Sequence, residues 1–194
     1  MSVPRIVLGS TSRYRVGLLR RIIDDFEQVG PDVDETPLRN ETPHARAARL
    51  SEAKARAAAA NLRDALVIGS DQVAALGGSV LHKPGSIEVA REQLRASSGK
   101  YVDFFTGLCV FDTRSARSRS ALDHTRVFFR QLTDAEIDRY LERERPLDCA
   151  GSFKSEAAGI ALFERIESTD PTALVGLPLI ALATLLREAG FPLP

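Results

Sequence analysis

Gly69-Ser70-Asp71-Gln72-Val73 sets a carboxylate at the end of a buried-strand signal, Ala65-Leu66-Val67-Ile68. A carboxylate placed where a strand leaves a sheet can hold a divalent metal or deprotonate a water. The plainer reading is a turn or helix-cap aspartate. A second constellation, Gly9-Ser10-Thr11-Ser12-Arg13-Tyr14-Arg15, lies between a strand signal and a helix signal. Its small residues let the backbone approach an anion, the helix N-terminus supplies unpaired N–H groups, and Arg15 offers a cationic fork. It is neither a Walker A sequence nor a G-x-G-x-x-G fingerprint. In His82-Lys83-Pro84-Gly85, Lys83 can reach a phosphate as a point charge. Glu35, in Val33-Asp34-Glu35-Thr36, and Lys54, in an Ala-rich helix, read by default as an exposed acid and an exposed helical lysine. The densest chemistry lies in Asp148-Cys149-Ala150-Gly151-Ser152-Phe153-Lys154-Ser155-Glu156, which combines three charges, two hydroxyls and a glycine ahead of the apolar run Gly159–Phe163. A polar loop of that kind beside a buried strand suggests a surface that touches something.

Composition narrows the classes. With 194 residues the chain is one domain, or one domain with two lobes, and can bury a substantial core. Lys plus Arg and Asp plus Glu are 26 each, and that balance argues against holding duplex nucleic acid by counterion release. Cys109 reads as a core residue and Cys149 as a loop residue, and neither has metal-ligand spacing. His44, His82 and His124 show no i, i+4 pattern, so a zinc site has no support. His124 reads as a partly buried structural residue. No G-x-S-x-G elbow is present. Val3-Pro4-Arg5 precedes only a short apolar run, and no stretch is long enough to span a bilayer, so the chain reads as soluble and cytoplasmic.

The positioning elements follow from pattern. Ile6-Val7-Leu8 predicts a strand, followed by a helix capped within Ser10-Thr11-Ser12 and running through Leu18, Leu19 and Ile22-Ile23. Residues 31–43 predict an irregular loop and 44–62 a helix. Residues 65–69 predict a strand, and Gly77-Gly78 a hairpin turn before Val80-Leu81. A helix over 86–96 places Ile87, Ala90 and Leu94 on one stripe. Two long strands, 101–111 and 121–129, are joined by an Arg- and Ser-rich connection. Thr133-Asp134-Ala135-Glu136 predicts a capping box. Pro178 suits the first turn of the last helix and Gly190 its C′ position. The whole predicts an α/β fold, a mixed sheet flanked by helices.

Taken together, these segments resemble the Maf family of nucleotide pyrophosphatases over nearly the whole chain. The resemblance rests on Leu8-Gly9-Ser10-Thr11-Ser12 with Arg15, Val33-Asp34-Glu35, Lys54-Ala55, Gly69-Ser70-Asp71-Gln72, Lys83-Pro84, Ser98-Gly99, Thr106-Gly107, Cys149 to Glu156 and Leu174-Val175-Gly176-Leu177-Pro178-Leu179. The Cys149–Glu156 motif looks like the branch that hydrolyses 7-methyl-GTP, not the branch acting on dTTP and UTP.

The resemblance implies one Maf-like domain over residues 1–194, with an elongated sheet and two lobes around a cleft, as in ITPase-like folds. It implies hydrolysis between the α- and β-phosphates, releasing monophosphate and pyrophosphate with a divalent cation, Mg²⁺ or Mn²⁺. Asp71 matches the general base, and Ser10, Arg15, Glu35, Lys54 and Lys83 match phosphate- and metal-handling positions. Glu35 and Asp71 would share the metal. Tyr14, Gln72 and Glu156 match positions that set base preference. Glu156 can accept from the N1–H and exocyclic amine of guanine, and a cationic N7-methylated base gains by stacking on an aromatic face. Tyr14 stands where related chains have Trp, and Arg13 where they often have Pro, which weakens the preference for a cationic base. The partner expected is a small nucleotide, with no nucleic acid or membrane, and a homodimer follows family habit. The alternative class is a non-catalytic nucleotide-sensing or division-regulating protein.

Overall fold

The apolar run Ile6-Val7-Leu8 becomes β1 (Arg5–Gly9), buried from Ile6 onward, in a computed structural model that describes residues 4–193. Val3, where the signal-peptide reading begins, lies outside the described residues. The described chain continues through α1 (Arg13–Leu19), β2 (Glu27–Val29), α2 (Pro43–Ala59), β3 (Ala65–Leu76), β4 (Ser79–Leu81) and α3 (Ile87–Ser97). It then forms β5 (Tyr101–Asp112), β6 (Arg117–Phe129), α4 (Asp134–Glu144), β7 (Phe163–Glu167) and α5 (Leu179–Glu188). The strands pair in the order β2-β1-β3-β5-β6-β7, with β4 on β3. β1 runs parallel to β2 and β3, whereas β3–β4 and β6–β7 are antiparallel. The expected α/β class with a mixed sheet is what forms.

Two compact units divide the chain. One runs to Gln72 and takes in Thr106–Asp123 and the chain from Asp170 onward; the other is Val73–Phe105 with His124–Thr169.

In the first unit, strand alternation sorts side chains between two layers. Ile6, Leu8, Leu66, Ile68, Leu108 and Val110 pack with α1 and with Leu179, Leu182, Leu185 and Leu186 of α5. Val7, Ala65 and Val67 turn the other way, onto Ala58 and Ala59 of α2. That second layer is unusually thin. A Cβ at Gly69 would collide with the Ser51 carbonyl and the Ala55 amide, and one at Gly107 with the Ala47 carbonyl. The backbone of α2 therefore rests directly on β3 and β5. Pro43 opens α2 behind the N-cap Thr42, whose hydroxyl accepts from Ala45 N–H.

The core of the second unit is aromatic. Phe153 stacks edge-on against Phe104, Phe129 and Phe163, with centroids 5.3, 5.7 and 4.7 Å away. Ala90 and Leu94 of α3 and Ile137, Tyr140 and Leu141 of α4 are buried as their stripes require. The Thr133/Glu136 capping box forms in both directions.

Several expectations need correction. The strand after Ala65 does not stop at Gly69 but continues to Leu76, because Ala74, Ala75 and Leu76 pair with β4. Helix α1 ends at Leu19; Ile22 and Ile23 lie in the turn beyond and still pack on the core. The connection after β5 is short, since Arg117 already belongs to β6. The run ahead of Phe163 is a 3₁₀ turn, Ala158–Leu162, and β7 beyond it is largely exposed. His124 is exposed, not partly buried; it stacks on Phe105 at 4.7 Å and bonds Asp103.

Candidate active site

Asp71 lies inside β3 and not at its end, with only 7 % of its surface exposed. It shares the face of Gly69, the face turned toward α2. Because Gly69 lets α2 sit against the strand, Lys54 on that helix reaches it: Lys54 Nζ donates to Asp71 Oδ1 at 2.6 Å. The same ammonium lies 2.7 Å from Glu35 Oε1. One buried cation thus holds two carboxylates together. Lys54, read from sequence as an exposed helical lysine, has a side chain only 12 % exposed.

The opposite face of β3 does different work. Ser70 Oγ lies 2.8 Å from the Gly107 carbonyl and 2.9 Å from that of Gly176. Gln72 Nε2 lies within 3.1 Å of Thr106 Oγ1 and of the Ala173 and Leu174 carbonyls. Arg15 Nε donates to the Gly176 carbonyl at 2.8 Å, and its Nη1 reaches Ser10 Oγ at 3.4 Å. The 3₁₀ turn Ala173–Val175 is therefore an anchor for Gln72, and Gly176, which caps it, is one for Arg15 and Ser70. The amide nitrogen of Gln72 is thereby committed to that anchor.

The turn is itself held by Asp170. One carboxylate oxygen accepts from Thr172 N–H at 3.0 Å, the other from Ile180 N–H at 2.7 Å, at the start of α5. An anion there complements the helix dipole and replaces the capping group Pro178 lacks. Sequence reading missed Asp170, because it lies eight positions ahead of the N-cap it replaces.

At the start of α1, Ser12 caps the helix by accepting from Arg15 N–H, and buried Ser10 accepts from Ser12 N–H at 3.2 Å. Desolvation lowers the pKa of the Arg15 guanidinium, opposed by the negative charges of Asp71 and Glu35. Arginine stays charged regardless. Tyr14 follows Arg13, whose Nη2 donates to its hydroxyl at 2.8 Å and whose guanidinium lies 4.9 Å from the ring centroid.

The remaining expected residues belong to the second unit. Lys83 is exposed in the segment after β4, and Glu156 is exposed in a turn at 155–157. The loop around Glu156 is less solvated than its composition suggests, with Gly151, Ser152 and Phe153 buried. Ser152 Oγ bonds Gln93 at 2.6 Å, Lys154 Nζ donates to the Glu144 carbonyl at 2.6 Å, and Lys154 N–H donates to the Tyr140 hydroxyl at 3.0 Å. Much of that polarity shapes the loop.

A cation-bridged carboxylate pair with a half-buried arginine in the same unit is suited to anionic phosphate chemistry. Residues 5–189 match the family of Maf-like proteins, and the chain belongs to that family. Among its relatives is a protein of Cupriavidus pinatubonensis named 7-methyl-GTP pyrophosphatase, 55 % identical over 98 % of this chain and 96 % of the relative. A protein of Aromatoleum aromaticum with the same name is 54 % identical over the full length of both chains. One of Nitrosococcus oceani, likewise so named, is 52 % identical over 97 % of this chain and 95 % of its own.

Proposed function

We propose that this protein hydrolyses 7-methyl-GTP to 7-methyl-GMP and pyrophosphate. The observation that carries the reading is the Lys54 bridge between Asp71 and Glu35, found in a chain half-identical to proteins of that name. In the proposed reaction a water attacks the α-phosphorus, the bond to the bridging oxygen breaks, and pyrophosphate leaves with the electron pair. Asp71 accepts the proton of the attacking water. Arg15 and Ser10 hold phosphate oxygens, joined by Lys54 and Lys83 as cations, so that charge moving toward pyrophosphate meets fixed positive groups. Tyr14, Gln72 and Glu156 set the choice of base.

A divalent cation fits the donor set. Glu35 and Asp71 bring two carboxylates to within reach of one ammonium. Among the described residues no group of three or more His, Cys, Asp or Glu side chains is placed to hold a metal. Mg²⁺ and Mn²⁺ suit two carboxylates supplemented by substrate phosphates and waters, where an all-protein cage is not required. When bound, the ion would offset phosphate charge.

Among the described residues no helix is long and apolar enough to cross a membrane. We propose the cytoplasm as the site of action.

Purified protein with Mg²⁺ or Mn²⁺ is expected to release pyrophosphate from 7-methyl-GTP faster than from GTP, dTTP or UTP. Asp71→Asn is expected to abolish release. Tight nucleotide binding without turnover under any metal would instead favour a nucleotide sensor.

A further inference from the structure

Glu35 is carried by a segment, residues 30–42, that contains no helix or strand. Such a segment cannot by itself hold a carboxylate to within a few tenths of an ångström. Its fastenings come from the first turns of α2. Arg46 Nη2 donates to the carbonyl of Glu35 itself at 2.9 Å. Three residues on, and so on the same helical face, Arg49 Nη2 donates to the carbonyl of Thr36 at 3.2 Å. Arg49 also grips Glu41 through Nε at 2.6 Å and Nη2 at 2.8 Å, a bidentate pair. The oxygen held by Nη2, Oε2, also accepts from Leu38 N–H at 3.1 Å. The chain from Glu35 to Glu41 is thus looped onto α2, which further along sends Lys54 to the Glu35 carboxylate.

Arg46 makes a poor stabiliser. Its Nε is buried with no hydrogen-bond partner, which costs stability. Its contact with the carbonyl of Glu35 is what distinguishes it.

We infer that Arg46 and Arg49 are positioning residues for Glu35, clamping the Glu35–Thr36 backbone onto α2 so that its carboxylate meets Lys54 and Asp71. The kinetic half of this inference rests on the pyrophosphatase reading; the clamp does not.

The test compares wild type with Arg46→Met, Arg49→Met, Arg49→Lys and Glu41→Gln by amide hydrogen exchange at residues 33–41, thermal unfolding, kcat, KM and the Mn²⁺ midpoint of activation. Loss of a charged hydrogen bond is expected to speed exchange there by roughly tenfold or more. The Mn²⁺ midpoint should rise and kcat fall by about the same factor, with KM little changed. Arg46→Met should do this with almost no change in Tm, because it also removes an orphaned donor. Arg49→Lys should not rescue, since an ammonium cannot hold both Glu41 oxygens and Thr36. Unchanged exchange in Arg46→Met and Glu41→Gln overturns the clamp, even if Arg49→Met does not fold. Faster exchange with unchanged Mn²⁺ midpoint and kcat overturns the positioning role. If wild type turns over no nucleotide, the pyrophosphatase reading fails instead. Mn²⁺ binding by electron paramagnetic resonance then decides, and equal affinity in wild type and Arg46→Met overturns the inference.

Discussion

Lys54 Nζ stands 2.6 Å from Asp71 Oδ1, and both side chains are about nine-tenths buried. Removing one partner of such a pair strands the other charge in a poorly solvated place. Lys54→Met is expected to cost about 3 kcal/mol or more of stability and to lower kcat/KM by roughly 10²-fold or more. Urea unfolding and pyrophosphate release measure the two effects. Asp71→Asn should be the milder change for the fold and at least as severe for turnover. A Lys54→Met protein as active as wild type would remove the bridge from the mechanism.

Gly69→Ala should act at a distance. The new methyl meets backbone atoms of Ser51 and Ala55, which cannot rotate away, so α2 must lift from β3. Overpacking of this kind costs on the order of 1–3 kcal/mol. The lift also separates Lys54 from Asp71, so activity should fall further than the loss of folded protein explains. Activity normalised to the folded fraction checks this.

Glu156→Gln tests base choice apart from chemistry. The amide loses one acceptor and presents a donor to the guanine edge. Preference for 7-methyl-GTP and GTP over UTP should shrink by roughly 10–100-fold, the worth of a charged hydrogen bond, while pyrophosphate release continues. An unchanged ranking across the nucleotide panel counts against Glu156 as the base reader.

Acid should loosen the start of α4 in a defined window. The Thr133 backbone N–H, then the Thr133 hydroxyl and Arg130, hold the Glu136 carboxyl down to about 2 from its ordinary 4.5. A depressed carboxylate pKa gives stability that is fully present above the unfolded value and lost as pH falls through the folded one. The Tm difference between wild type and Glu136→Gln should therefore be constant at neutral pH and narrow between about pH 4.5 and 2. A difference that grows on acidification contradicts the capping box as its source.

Local chemistry was legible wherever it acts over a few residues. The Thr133/Glu136 capping box, an N-cap within Ser10-Thr11-Ser12, and the Gly77-Gly78 turn all form where the pattern placed them. Errors gather where a distant partner decides. Nothing near Gly69 shows that β4 will carry the strand on to Leu76. The apolar run Gly159–Phe163 reads as a strand until four residues of it coil into the 3₁₀ turn Ala158–Leu162.

The candidate site divides in the same way. Residue types and spacing were enough to single out Asp71, Arg15 and Ser10, and the ordered motifs pointed to the family. Tertiary structure alone decided that Lys54 is a buried bridge and not a surface lysine, that Asp170 caps α5, and that Arg46 and Arg49 hold the segment bearing Glu35. The reason is physical. A side chain's type and neighbours set what it can bond, but its burial and partners depend on which backbone packs over it. Here the two glycines that admit α2 to the sheet make that choice.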